Sequence, residues 1–307
     1  MNKWEYVWFG YPYTNLSLDD RKRVIKLEVF LNSNCNMNCS YCYKDAFAPF
    51  NTGAYKLDKI KDSFIEINNN IPKESELNLY IGGGGESLLY FSDLIDFIKF
   101  VRLQRENIRV FITTNGTLLT KDIVSQLKEE KVIIRFSFDG FYSDRYKSKI
   151  GDMDNKFIEV LESYLVGYPD VTIATSLTKS NTKAYCYILD YLLKLGYRDF
   201  MTTFVYGDMA PRFREKLLFF REIRKRWTKT KFKSNFITSS KMNHTMADTR
   251  VNQSAIILSD GKIYGYNKLP FMKPLDMLSD KFYLSSKVEE ILRKFYLDGI
   301  EKQVKYV

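Results

Sequence analysis

Cys35, Cys39 and Cys42 fall within one eight-residue stretch, Cys35-Asn36-Met37-Asn38-Cys39-Ser40-Tyr41-Cys42, in the spacing C-x3-C-x2-C. Thiolates are soft ligands, and three of them on a short polar loop can hold three irons of a [4Fe–4S] cube. The fourth iron then lacks a protein ligand and can take a substrate or cofactor. Two other readings fit part of the pattern. A structural zinc site needs a fourth ligand, and the candidates, Cys186 and the single histidine His244, lie far along the chain. Zinc motifs also tend to come as paired C-x2-C units, which are absent. Three ordinary buried cysteines are not expected to cluster among Asn and Ser.

The elements around this loop follow from hydrophobic periodicity. Residues 24–31 form an apolar run that reads as a strand, with the cysteine loop at its carboxyl end. Leu57, Ile60, Phe64, Ile67 and Ile71 recur at helical steps. Residues 77–81 read as a second strand, running into Gly82-Gly83-Gly84-Gly85-Glu86, and a helix begins near Phe91. Further strands are expected at 108–113, 132–138, 171–177 and 200–205, with helices near 121–129, 155–166, 183–195 and 211–227. Regular β-then-α alternation implies parallel strands joined by right-handed crossovers. Six units rather than eight suit an open, partial (βα)6 barrel, an α/β fold. In such folds functional loops gather at the carboxyl ends of the strands. After Lys229 the alternation stops. Residues 255–258 and 262–266 flank Ser259-Asp260-Gly261, a hairpin signal, and a last amphipathic helix carries Val288, Ile291, Leu292 and Phe295. The expected division is an N-terminal arm at 1–23, the partial barrel at 24–228 and a small α+β extension at 229–307.

The cysteine spacing, with the aromatic Tyr41 just before Cys42, resembles the signature of the radical S-adenosylmethionine (radical SAM) enzymes. That resemblance implies a [4Fe–4S] cluster on Cys35, Cys39 and Cys42, with SAM on the open iron. It also implies reductive cleavage of SAM to a 5′-deoxyadenosyl radical that abstracts hydrogen from a substrate, and a flavodoxin- or ferredoxin-like electron donor. Gly84-Gly85-Glu86-Ser87 is similar to the family's Gly-Gly-Glu-Pro segment, with Ser for Pro, and so implies SAM amino-group binding by Gly84, Gly85 and Glu86. On that basis Gly85→Val is expected to block SAM and leave the cluster intact. Ser137-Phe138-Asp139-Gly140 resembles the Ser-x-Asp-Gly of sulfatase-maturating and peptide-modifying members, where the serine helps hold SAM. Tyr41, Thr114 and Asn115 complete the implied cofactor-binding set, although Asn115-Gly116 also reads as a plain turn. Arg145, Lys147 and Lys149 are candidates to meet the SAM carboxylate, and the spacing does not choose among them. The catalytic residue toward substrate is not assigned.

Residues 258–266 look like the hairpin of SPASM or twitch extensions, with Gly265 where the family has a cysteine. No cysteine follows Cys186, so a degenerate extension without an auxiliary cluster is expected. Cys186 shares a helix face with Leu189 and Leu193, which favours structural burial over a hydrogen-atom donor. The resemblance implies a peptide or small-molecule substrate. The net charge of +10 and the basic run Arg221, Arg224, Lys225, Arg226, Lys229, Lys231, Lys233, interleaved with Trp227 and Phe232, keep RNA or nucleotide modification as an alternative. A non-catalytic zinc- or cluster-binding interaction protein is the reading from another class. No run of 18 uncharged apolar residues exists and residues 1–6 lack a signal peptide's apolar core, so no membrane span is expected. Four cysteines in this pattern suggest a reducing, cytoplasmic setting rather than a disulfide framework.

Overall fold

Strands β1 (Val24–Val29), β2 (Glu76–Ile81), β3 (Ile108–Thr114), β4 (Ile133–Ser137), β5 (Val171–Leu177) and β6 (Asp199–Phe204) alternate with helices α1 (Leu57–Asn68), α2 (Phe91–Gln104), α3 (Lys121–Glu129), α4 (Met153–Glu159), α5 (Tyr185–Lys194) and α6 (Phe213–Lys229). All six expected βα units are therefore present. The computed structural model describes residues 24–42, 55–71, 73–82, 84–141, 153–205, 207–230, 232–234, 254–266 and 283–284. The expected N-terminal arm and final amphipathic helix, His244, and Arg145, Lys147 and Lys149 lie outside the described residues.

The chain divides into two units, one from residues 1–34, 43–111 and 248–307, the other from 35–42 and 112–247. In the first, β8 (Ser254–Ile257), β9 (Ile263–Tyr266) and β10 (Tyr283–Leu284) join the sheet in the order β10-β9-β8-β1-β2-β3. β1 pairs in parallel with β2 (Leu27 opposite Leu79) and, on its other side, with β8 (Ser254–Ile257). β8 and β9 (Ile263–Tyr266) form the expected hairpin, and β9 pairs antiparallel with β10 (Tyr283–Leu284). Ile25, Leu27 and Val29 of β1 and Leu77, Leu79 and Ile81 of β2 are buried on one face. α1 and α2 bring Ile60, Phe64 and Ile67 and Leu94, Phe97 and Ile98 to the same core, with the Phe64 and Phe97 rings edge to face at 6.1 Å. Each such side chain taken from water is worth about 1.5–3 kcal/mol.

In the second unit the order is β3-β4-β5-β6-β7, with β4, β5, β6 and the short β7 (Lys233–Ser234) paired in parallel. β5 alternates strictly: Val171, Ile173, Thr175 and Leu177 are buried, and the residues between them are half-buried. A period of two buries one face of a strand. Phe136, Phe138 and Phe157 form an aromatic layer with ring separations of 5.9 and 6.0 Å. Two features depart from the sequence reading. The helix expected at 155–166 is α-helical only to Glu159 and continues as a π-helical turn, Val160–Tyr164. β7 adds a strand beyond the six.

Candidate active site

Within the second unit the cysteine loop is held at several points. Asn36 donates through Nδ2 to Thr117 Oγ1 at 2.8 Å and accepts through Oδ1 from Asn115 Nδ2 at 2.9 Å. Asn115 Oδ1 in turn accepts from the Thr117 amide at 3.0 Å and from its hydroxyl at 2.7 Å. Met37 is buried and pins the middle of the loop. The Cys42 amide donates to the Cys39 carbonyl at 3.0 Å, a tight turn that brings two thiol-bearing residues together. Tyr41 donates its hydroxyl to Asp139 Oδ2. The Cys35 sulfur receives the Met37 amide at 3.4 Å and Asn115 Nδ2 at 3.9 Å. These two contacts fix the position of the Cys35 sulfur on the loop.

The strand ends that carry the other candidates are built by the same packing. Thr114 is buried, and its hydroxyl accepts from the Gly116 amide at 3.0 Å. Gly116 has φ +77°, and a Cβ there would lie 2.1 Å from Phe136 Cε2, so the turn after β3 requires glycine. Ser137 is buried at the end of β4. Asp139, two residues on, is wholly buried and accepts from the Ser176 amide at 2.7 Å.

In the first unit, Gly84 and Gly85 lie flush against residues 30–34. A Cβ on Gly84 would come within 2.9 Å of Phe30 Cδ2, and one on Gly85 within 2.3 Å of the Asn34 carbonyl oxygen. The Glu86 amide donates to that same carbonyl at 2.8 Å, and Asn32 Nδ2 donates to the Glu86 carbonyl at 3.0 Å. Glu86 is buried, with Oε1 accepting from the Leu88 amide at 3.2 Å, where it caps the 3₁₀ turn Ser87–Tyr90. Gly85 is thus required by the close approach of Asn34, the residue before Cys35, since the direction a side chain would take is already filled by protein.

Other candidates fall elsewhere. Cys186 is buried on α5, and burial pushes its thiol pKa up, against the opposing pull of the Arg226 guanidinium. In the basic run, Arg226 holds Asp190 with two bonds of 2.8 Å and also binds Glu222, while Phe232 is buried against Phe200. Gly265 sits in β9 opposite Ala255. The sequence reading assigned no role to Asn36, Thr117 or Asp139, although Asp139 stands in the Ser-x-Asp-Gly motif that it singled out. The first is inside the cysteine motif and the second two residues beyond Asn115, so only their proximity to candidates could have flagged them.

The donor set suits a cube. Three partly exposed thiols, none in a disulfide, share one pinned loop. Among the described residues no three His, Cys, Asp or Glu side chains converge as a single ion would require. A cube places each thiolate on a different iron, so its three ligands stand further apart than those of one ion. Cys35, Cys39 and Cys42 would hold it.

The chain belongs to the radical SAM superfamily, whose pattern matches residues 29–208. Enzymes of that superfamily use a [4Fe–4S] cluster and S-adenosylmethionine for radical chemistry through SAM cleavage. It is 27% identical over 178 residues to the tungsten-containing aldehyde ferredoxin oxidoreductase cofactor-modifying protein of Pyrococcus furiosus, covering 54% of this chain and 47% of that one. It is 28% identical over 160 residues to a cysteine-type anaerobic sulfatase-maturating enzyme of Clostridium novyi, covering 48% and 42%. Each match spans less than half the length of the relative. The structure of native anSMEcpe with bound AdoMet and the Kp18Cys peptide superposes with a TM-score of 0.68 at 16% identity, over 85% of this chain and 77% of that one. This likeness shows the fold, an open α/β radical SAM sheet and not a closed barrel. Among the described residues no helix is long and apolar enough to cross a membrane.

Proposed function

We propose that this enzyme abstracts a hydrogen atom from a peptide or other natural-product precursor. The observation that carries the reading is the fold it shares with a SAM- and peptide-bound structure over 85% of its length, joined to its identity with a sulfatase-maturating enzyme. When bound, the cluster and SAM supply the 5′-deoxyadenosyl radical. In this reading Cys35, Cys39 and Cys42 hold the cluster. Gly84, Gly85 and Glu86 offer acceptors to the SAM amino group, and Tyr41, Thr114, Asn115 and Ser137 complete the cofactor contacts. Asn115 contributes largely by holding the loop, because its side chain is committed to Asn36 and Thr117. Residues 24–228 carry the chemistry and 229–307 form a degenerate extension. A flavodoxin- or ferredoxin-like donor in a reducing cytoplasm completes the system. RNA or nucleotide modification is the second reading, favoured by the +10 charge. It is weakened where Phe232 is buried rather than offered for stacking and Arg226 is occupied by carboxylates.

Anaerobic reconstitution is expected to give about four irons and four sulfides per chain. Stoichiometric zinc without iron-dependent absorbance would overturn the cluster assignment. With dithionite, the reconstituted chain should form 5′-deoxyadenosine from SAM, and a precursor peptide should gain or lose mass only when SAM is present. Turnover of an RNA but of no peptide would favour the second reading.

A further inference from the structure

A wholly buried carboxylate is costly unless both its oxygens are satisfied, and one sits beside the cysteine loop. Asp139 has no exposed surface. Its Oδ1 accepts from the Ser176 amide at 2.7 Å, and its Oδ2 accepts the Tyr41 hydroxyl. Its own carbonyl receives Asn181 Nδ2 at 3.3 Å, while the same amide group donates to the Ser176 carbonyl at 2.9 Å. The backbone on which it stands is fixed to β5: the Phe138 amide donates to the Ala174 carbonyl at 2.8 Å, and Thr175 Oγ1 donates to the Phe138 carbonyl at 2.8 Å. Asp139 is therefore a rigid acceptor pointed at the cysteine loop from the end of β4.

Its partner is placed to transmit that rigidity. Tyr41 lies between Cys39 and Cys42, the two thiol residues joined by the turn from the Cys42 amide to the Cys39 carbonyl. Asn36, between Cys35 and Cys39, is pinned separately by Asn115 and Thr117. Each interval between successive thiols thus has its own tie to a strand end, one to β3 and one to β4. Resting on the cluster assignment above, we infer that Asp139 is a positioning residue for the cluster: through the Tyr41 hydroxyl it fixes the Cys39–Cys42 arm of the loop. Tyr41 accordingly has a role carried by its hydroxyl, separate from any contact its ring or backbone makes with SAM. Hydrogen-bonded partners one step removed from metal ligands orient those ligands and tune the centre they hold.

The test uses the full chain, reconstituted anaerobically, in five forms: wild type, Tyr41→Phe, Asp139→Ala, Asp139→Asn, and Tyr41→Phe with Asp139→Ala. Iron release to a chelator and the electron paramagnetic resonance spectrum of the dithionite-reduced cluster, with and without SAM, are the readouts. Tyr41→Phe should load the same iron as wild type but release it about tenfold faster, at the low end of such second-layer effects, with shifted g values. Asp139→Asn should largely restore wild-type behaviour, because its carbonyl can take the Ser176 amide while its amide donates to the Tyr41 oxygen. Asp139→Ala also strands the Ser176 amide and can harm folding, so the decisive comparison is between backgrounds. Tyr41→Phe should change nothing further once Asp139 is alanine. Tyr41→Phe indistinguishable from wild type in release and spectrum, or single effects that simply add, would overturn the tie. A wild-type chain that takes up no iron would instead overturn the cluster assignment itself, and this inference with it.

Discussion

Cys186 shows how one residue type separates into two chemistries. Cys35, Cys39 and Cys42 are partly exposed on a polar loop, whereas Cys186 is buried on α5 beside Tyr185 and Leu189. Burial raises its pKa most, Glu222 and Asp190 add to that, and Arg226 only partly offsets it. A raised pKa leaves less thiolate at any given pH, so alkylation must begin at higher pH than for an ordinary cysteine. In the folded apoprotein at mildly alkaline pH, iodoacetamide should modify the three loop cysteines first and reach Cys186 only on unfolding. Cys186→Ala should leave the iron content of the reconstituted chain unchanged. Prompt labelling of Cys186, or loss of iron in that variant, would return it to the chemistry. The spacing of the cysteines was legible in the sequence because a ligand set is a local pattern. The tie from Tyr41 to Asp139 was not, since a hydrogen bond across 98 positions leaves no periodic trace.

At the scale of elements, strands and helices were legible wherever one face is buried. The strict alternation of β5 and the three- and four-residue steps of α1 fixed both to within a few residues. The π-helical turn at Val160–Tyr164 keeps the apolar residues of a helix and so escaped the pattern. The parallel pairing of β8 with β1 also went unseen, because a hairpin signal says nothing about which edge the hairpin joins. The glycine run was recognised, but the reason for it differs at Gly85. Its side-chain direction is filled by Asn34, so Gly85→Val should displace the residue that precedes Cys35. The variant is therefore expected to reconstitute with less iron than wild type, in contrast to the intact cluster expected from a clash with SAM alone. Glu86→Ala removes the cap on Leu88, a loss of about 0.5–2 kcal/mol, and should weaken SAM binding while keeping the iron. Full iron in Gly85→Val together with lost SAM affinity, read by isothermal titration, would restore the ligand-clash explanation.

Across the whole molecule, the proposed cofactor residues come from segments far apart in sequence, at 35–42, 84–86, 114–115 and 137, each set at the carboxyl end of a strand. That recurrence follows from parallel βα topology, in which every strand delivers its following loop to the same kind of position. It made the candidate set readable in outline before any contact was known. The same view decides how many clusters this chain can hold. The hairpin of β8 and β9 carries Gly265, paired within the sheet to Ala255, at the position where the resemblance expects a cysteine. Cys186 is the one cysteine outside the loop, and its buried thiol is held toward the protonated form. A single such thiol cannot anchor a second cube, since these clusters rest on several thiolates. Replacing Cys35, Cys39 and Cys42 together with alanine should therefore abolish all iron binding after anaerobic reconstitution, with the broad charge-transfer absorbance lost as well. Far-ultraviolet circular dichroism should stay close to wild type, because none of the three side chains belongs to the buried core. A residual [4Fe–4S] spectrum in the triple variant would mean that this chain ligates a second cluster through groups other than the three loop cysteines, and that Gly265 marks a change of ligand and not the loss of a site.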